Sequence, residues 1–357
     1  MDTVLQSFKD AVFHAIDSGQ KICIKGGGTK EFYGGSAVGE RLDTRAYTGI
    51  IEYDPGELVL RVRSGTTLAT IESVLAEHNQ LLPFDPPFFS ENSTIGGAVA
   101  AGLCGPLRLA NGAMRDHVLG MTMMDGRGDV LTFGGKVIKN VAGYDVSRLM
   151  AGSMGTLGIL LDITVKLLPR PAEDLTLCLR MSQEDAILRM NQLAGIPASV
   201  ISTAWWNDVL YLRLGGAKSA VTQARKAIGG EILDNLVAAK FWKDLRDQRN
   251  IFFKAGQHAR TLWRVSVPGT TPPLQAGDAE IIEWSGQLRW IYSDLPANLM
   301  RQRVAAAGGH ATQFRNPDRE FPIFDELSAP VLAVNQRLKD AFDPHRIFNS
   351  KRLHSSF

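Results

Sequence analysis

The stretch from Glu91 to Gly158 constrains the fold of this chain more than any other. It opens Ser93-Thr94-Ile95-Gly96-Gly97-Ala98 and closes Gly152-Ser153-Met154-Gly155-Thr156-Leu157-Gly158-Ile159. Between these ends small residues (Ala98, Ala100, Ala101, Gly102, Gly105, Gly112) alternate with isolated charges (Arg108, Arg115, Asp116), where an ordinary core would carry large aliphatics. Glycine removes the steric bar to close approach and to positive φ, so a large flat ligand can lie against main-chain N–H and C=O groups. A pyrophosphate needs such donors and a flavin ring needs a smooth surface; the stretch reads as the wall of a flavin site.

At 357 residues the chain exceeds one ordinary domain and fits two of about 100–200 residues each. Lysine and arginine number 39 against 37 aspartates and glutamates, a balance that gives no electrostatic footprint for nucleic acid or an anionic membrane. Cys23, Cys104 and Cys178 lie far apart, without the spacing of a disulfide framework, a zinc knot or an iron–sulfur cluster; no metal site is expected. The start lacks a basic segment followed by an apolar one. No apolar run reaches the roughly 20 residues of a membrane span. A cytoplasmic setting is expected, with any contact to the inner membrane made through partner subunits.

Taken in order, Val4 to Ser18 has the apolar spacing of an amphipathic helix ending at Gly19, and Lys21–Lys25 reads as a strand running into Gly26-Gly27-Gly28-Thr29-Lys30. A strand followed by three glycines can curl its amides into an anion-binding nest; a plain flexible turn is the alternative. A nicotinamide-type G-x-G-x-x-G fails because position 31 is Glu31, and Gly34-Gly35 stops any following helix. Residues 49–53 and 58–62 flank Asp54-Pro55-Gly56-Glu57 as a hairpin, and Thr67 caps a helix to His78, a surface histidine. Met121–Met124 is expected as a buried strand, not a metal box. Arg115 and Asp116 read equally as ligand contacts or as an ion pair holding a loop.

These motifs, together with Arg115–Gly120 and Lys139-Asn140-Val141-Ala142-Gly143-Tyr144-Asp145, resemble in order and spacing the FAD-binding domain of the vanillyl-alcohol oxidase (PCMH-type) superfamily. Over nearly the whole length the chain is similar to the family of smaller FAD-binding subunits of bacterial glycolate oxidase (glycolate dehydrogenase). The resemblance implies an α+β protein with a PCMH-type two-subdomain FAD-binding fold and an α+β cap. It implies that Gly26, Gly27, Gly28, Thr29, Lys30 and Gly34 cradle the FAD pyrophosphate through amides, that Ser93, Thr94, Ile95, Gly96 and Gly97 border the cofactor, and that Gly112, Arg115 and Asp116 lie against the flavin. Gly158 and Ile159 are implied to approach the adenosine part. Some relatives hold FAD covalently through His or Cys; His117 and Cys104 lie in the right region, with polar support and buried filler the simpler roles.

By Val165–Pro171, 24 of the 35 glycines have passed, and composition marks a boundary: residues 1–170 as the FAD domain, 171–335 as a cap, 336–357 as a segment returning to the FAD domain. Strands are expected over 175–179, 209–214, 262–267 and 288–292, and helices over 183–193, 217–228 and 297–307. Phe241–Asp247 reads as an amphipathic helix with packed aromatics. Oxidising a 2-hydroxy acid on a flavin needs a cation for the carboxylate and a base for the hydroxyl proton while hydride leaves for the flavin; Arg264 and Arg289, on cap strands, are the candidate clamps, with a structural ion pair the alternative for each. Catalytic D-2-hydroxy-acid dehydrogenases that resemble this chain carry a His-x-Gly-Asp-Gly-Asn-x-His run, whereas here His258 and His310 stand alone. Phe342-Asp343-Pro344 and Asn349 resemble the family's C-terminal segment, with Asn349 carried over beside the flavin and Ser350-Lys351 replacing the usual Pro-Gly. The expected function is an FAD subunit that oxidises glycolate or D-lactate and passes electrons to a larger flavin subunit and an iron–sulfur subunit; the alternative is a non-catalytic electron-transfer or assembly subunit.

Overall fold

A computed structural model describes residues 3–135, 145–194, 199–255, 260–277, 279–315 and 322–356, and the chain divides into two compact units. The first comprises Met1–Leu103, Ala113–Pro169 and Glu326–Phe357. Its parallel pair β1 (Ile22–Lys25) and β2 (Glu40–Asp43) is extended by a parallel bridge from Ile22 to Phe348 of the C-terminal arm. The helix Thr3–Ser18 packs its Phe8, Val12 and Ala15 face on Ile22, Leu42, Tyr47 and Phe348, so the helical spacing of those apolar residues becomes one wall of a core. Beside it stands a five-stranded antiparallel sheet: β3 (Ile50–Asp54), β4 (Val59–Arg63), then β6 (Val118–Met124), β7 (Val130–Gly134) and β8 (Ile159–Lys166), in spatial order β3-β4-β8-β6-β7. A further short pair joins β5 (Gln80–Leu81) to β9 (Leu168–Pro169). The Asp54–Glu57 turn closes the expected hairpin through Asp54 Oδ1, which accepts from the N–H groups of Gly56 and Glu57. Thr67 caps the helix Leu68–Glu77 by accepting from Thr70 N–H.

The second unit holds Cys104–Gly112 and Arg170–Asp325. Its eight strands are β10 (Glu173–Arg180), β11 (Val200–Trp206), β12 (Val209–Gly216), β13 (Glu231–Ile232), β14 (Thr261–Ser266), β15 (Ala279–Glu283), β16 (Leu288–Ser293) and β17 (His310–Arg315). They form one antiparallel sheet ordered β13-β10-β12-β11-β15-β16-β14-β17. Numbered within each half, the order is 4-1-3-2 followed by 2-3-1-4, so two ferredoxin-like β-sheets meet edge to edge at β11 and β15. The first half carries both crossover helices, Gln183–Ala194 and Lys218–Ile228, over a core of Leu177, Met190, Leu210 and Leu212. The second carries only Ala297–Ala306, over Trp263, Val265 and Ile291; between β14 and β15 the chain reads Pro268-Gly269-Thr270-Thr271-Pro272-Pro273, where proline removes the amides a helix needs. The helix Asn235–Arg246 buries Trp242 and stacks Phe241 on Tyr211 at 4.1 Å between ring centres, so its aromatics pack as expected.

Two boundaries differ from the sequence reading. Cys104–Gly112 belongs with the second unit because Trp284 Nε1 donates to Gly105 O (3.2 Å) and Arg108 lies on the Trp284 ring at 4.6 Å. The segment 326–335, read as the end of the cap, belongs with the first, because it enters the helix Ala329–Phe342. That helix is anchored by Lys339, 1% exposed, whose Nζ donates to Thr156 O (2.7 Å), Phe348 O (2.9 Å) and Asp343 Oδ2 (2.6 Å). Asp343, fully buried, also accepts from the N–H groups of Ile347 and Phe348. Burial draws the Lys339 pKa down while Asp343 opposes it. Removing one member of such a pair leaves an uncompensated buried charge.

Arg289 corrects the expectation of a clamp and takes the alternative role, an ion pair with Glu280. It is completely buried, and its guanidinium donates to Gly286 O (2.9 Å), Thr271 O (2.6 Å) and Glu280 Oε1 (3.2 Å), so it organises the sheet interior and offers no clamp to a substrate. Burial pushes the Glu280 carboxyl up, against the pull of Arg289. Arg289→Met should cost the second unit about 3–5 kcal/mol. A carboxyl with a raised folded pKa weakens stability as pH rises through that pKa, so the loss read by urea unfolding should be greater at pH 8 than at pH 5. Lys339→Ala should cost the first unit a similar amount, about 3–5 kcal/mol, read by near-UV circular dichroism in urea.

Candidate functional site

Within the first unit, β1 delivers the chain into the loop 26–35, which closes by Glu31 N–H donating to Gly28 O (3.3 Å) and Tyr33 N–H to Lys30 O (3.1 Å). No helix follows this loop, in keeping with the failed dinucleotide pattern. Among the described residues the N–H groups of Gly26, Gly27, Gly28 and Thr29 have no protein acceptor, and all four residues line one cleft open to solvent. Four successive amides of this kind form an anion-binding concavity. The charged residues on the cleft walls are Lys25, Lys30 and Arg352 against Glu31, a surplus of two cations that suits a diphosphate. The residues present therefore fit a phosphate-bearing nucleotide.

The glycines of the walls answer first to the protein itself. A Cβ on Gly27 would overlap the Asn92 carbonyl oxygen, one on Gly26 would overlap Thr94 Oγ1, and one on Gly155 would stand 2.6 Å from Asn349 Nδ2. Gly27 thus packs main chain on main chain, and Gly26 and Gly155 admit the side chains of Thr94 and Asn349, so that distant segments meet at one cleft. Gly28, at φ +70°, supplies the left-handed turn. Lys30, 8% exposed, donates from Nζ to Ser93 Oγ (2.7 Å) and Thr29 Oγ1 (3.2 Å) and lies 5.5 Å from the Phe89 ring. Lys25 holds Glu31 at 2.6 Å, and that hydrogen bond keeps the Glu31 carboxyl below the usual range.

Of the residues singled out in the sequence, Gly26, Gly27, Gly28, Thr29, Lys30, Thr94, Gly96, Gly97, Gly158 and Asn349 line the cleft. The amides of Gly96 and Gly97, two residues expected to border the cofactor, are engaged: Gly96 N–H donates to Ser64 O (2.9 Å) and Gly97 N–H to Thr94 Oγ1 (3.2 Å), closing the first turn of the helix Ile95–Ala101. Ser93, Ile95 and Ile159 are buried behind the walls, and Gly34 turns against Arg352 O, so these four support the cleft from outside its surface. Arg115 and Asp116 are exposed and do not line it; the Asp116 carboxylate accepts from Ala113 N–H (2.9 Å). Gly112, like Cys104, belongs to the second unit, and neither Cys104 nor His117 lines the cleft. The motif residues 139–144 and His258 lie outside the described residues.

Asn349 is the residue on which the C-terminal arm closes. Its Oδ1 accepts from Ile24 N–H (2.7 Å), its Nδ2 donates to Met154 O (2.7 Å), and its own N–H donates to Ile22 O (2.9 Å). Lys351, where the resembling family carries glycine, adopts φ +64°; the left-handed path is kept at a cost of about 1 kcal/mol. Sequence reasoning missed Arg352, Met154 and Lys25. Met154 sat inside a quoted motif and Lys25 abutted one, but nothing in the pattern distinguished Arg352 from its basic neighbours. In the second unit Arg264 lies 5.4 Å and Arg108 4.6 Å from the Trp284 ring centre, so one indole carries both guanidinium groups. Trp284 and Ser285 both hold φ near +52°, with Ser285 N–H fixed by Thr203 Oγ1 at 2.8 Å.

Comparison with known proteins agrees with this geometry. The family described as FAD binding domain matches residues 5–134. An alkyldihydroxyacetonephosphate synthase structure superposes with a TM-score of 0.69 at 16% identity, covering 96% of this chain and 74% of that one, a likeness of fold alone. "Glycolate oxidase subunit GlcD" of Bacillus subtilis is 38% identical over 138 residues, 38% of this chain and 29% of that one. "Glycolate oxidase subunit GlcE" of Escherichia coli is 40% identical over 350 residues, 98% of this chain and 97% of that one. With identity at that level across both whole chains, a PCMH-type fold and a match to the FAD binding domain family over residues 5–134, this chain belongs to the GlcE family of glycolate oxidase subunits.

Proposed function

We propose that this chain is the smaller FAD-binding subunit of a glycolate-oxidising complex, taking electrons from glycolate or D-lactate and passing them to a larger flavin subunit and an iron–sulfur subunit. The observation that carries the cofactor assignment is the run of four amides, Gly26 to Thr29, lining a cleft with a surplus of positive charge. The bound flavin would supply a ring that accepts two electrons from a carbon–hydrogen bond. This chain's own residues do the holding. Gly26–Thr29 present N–H donors to the diphosphate, Lys30 adds a cation fixed by Ser93, and Thr94 and Asn349 set the facing wall. Arg264, braced on Trp284, is the remaining candidate for a substrate carboxylate once Arg289 is committed to the sheet interior. No helix among the described residues is long and apolar enough to cross a membrane; in this reading the subunit is cytoplasmic and reaches the inner membrane through its partners.

A second reading, a flavin subunit that carries electrons without meeting substrate, is favoured by the loss of Arg289 as a clamp. Anaerobic addition of glycolate to the purified chain separates the two. Bleaching of the flavin band is the expected result, and an unchanged spectrum with reduction only in the assembled complex would establish the second reading. A colourless preparation that takes up no added FAD would defeat both. Lys30→Met should weaken FAD binding about tenfold, the worth of one charged hydrogen bond, and flatten its salt dependence in a fluorescence titration.

A further inference from the structure

Arg352 grips the loop that carries the four open amides. Its Nη1 donates to Gly35 O (2.8 Å) and Glu31 O (3.2 Å), its Nη2 to Lys30 O (2.8 Å), and its own carbonyl accepts from Gly35 N–H (2.9 Å). One side chain therefore holds the descending and the returning limbs of the loop. The consequence reaches the amides through the backbone. With Lys30 and Glu31 fixed on Arg352, Glu31 N–H is placed to donate to Gly28 O (3.3 Å). In a trans peptide the C=O and N–H point in opposite directions, so anchoring Gly28 O on Glu31 turns Thr29 N–H away from the loop interior. Upstream, Asn349 fixes Ile24 N–H. Three residues apart in the same arm, Asn349 and Arg352 pin the loop at its entry and its exit, and Arg352 N–H donating to Asn349 O (3.1 Å) joins the two anchors.

We propose that Arg352 is the positioning residue of the phosphate loop: its guanidinium, fixed on three loop carbonyls, holds the amides of Gly26–Thr29 in the orientation that receives the diphosphate of the cofactor. The assignment rests on the FAD reading above. Lysine cannot replace it, because an ammonium is a point donor and lacks the planar fork that spans three carbonyls.

The test uses the full chain freed of flavin, with the wild type, Arg352→Met and Arg352→Lys titrated against FAD and against riboflavin, which lacks the diphosphate. Both variants should bind FAD about 10- to 100-fold more weakly, the effect of losing several hydrogen bonds from a charged donor, with riboflavin affinity within about twofold of wild type. Full retention of FAD affinity in Arg352→Lys would overturn the proposal in favour of simple charge attraction. Equal loss of FAD and riboflavin affinity would overturn it in favour of general support of the unit, and unchanged FAD affinity in Arg352→Met would overturn it outright. A wild type that binds neither ligand would defeat the FAD reading itself, a different result from any of these.

Discussion

Main chain approaching main chain is the constraint on which the first unit depends. The loop after β1, the segment before the helix Ile95–Ala101, and the turn at Met154-Gly155 come together closely enough that a Cβ at Gly26, Gly27 or Gly155 would meet the neighbouring wall. Such proximity leaves polar backbone groups at the surface of a cleft, where a buried donor must find a partner or carry a penalty of about 1–3 kcal/mol. Most find one within the protein: Gly96 on Ser64, Gly97 on Thr94, Ile24 on Asn349. Among the described residues, those of Gly26–Thr29 are four in succession left without a protein acceptor. The proposed cofactor site is thus what this packing leaves open.

The C-terminal arm completes that solution from far along the chain. Lys339 and Asp343 fix the helix Ala329–Phe342 to Thr156 and Phe348, and the arm then lays Asn349 and Arg352 against β1 and the glycine loop. A buried ion pair is costly unless its remaining donors and acceptors are satisfied; here Lys339 makes three bonds and Asp343 accepts from two amides besides. Its value is geometric, since a misplaced arm would leave both ends of the phosphate loop unheld.

The second unit obeys a different logic. Its two ferredoxin-like halves bury aliphatic faces under crossover helices, and its arginines serve the sheet and the Trp284 turn. Half of its strands were legible. β10, β12, β14 and β16 announce themselves by alternation or by runs of β-formers, whereas β15 is short and interrupted by Glu280, and β11 carries Ser202, Thr203 and Ala204 in place of bulky apolar residues. Pairing on both sides overrides weak local propensity in β11 and β15. The repeat itself is invisible in sequence because the second half lacks its first helix.

The sequence by itself determined that glycine-bearing segments would wall a cleft, since the freedom and the missing side chain of glycine are local properties, and it determined the amphipathic helices and the Asp54–Glu57 hairpin for the same reason. It also determined the membership in an FAD-binding family, through motifs whose order and spacing survive without three-dimensional knowledge. Only the tertiary structure decided which amides remain open, because whether a donor is satisfied depends on a partner that may be remote in the chain, as Ser64 is from Gly96. The same holds for the arginines: Arg289 and Arg352 carry identical charge and equal reach, and burial among carbonyls of the sheet or of the loop alone assigns one to the core and the other to the cleft.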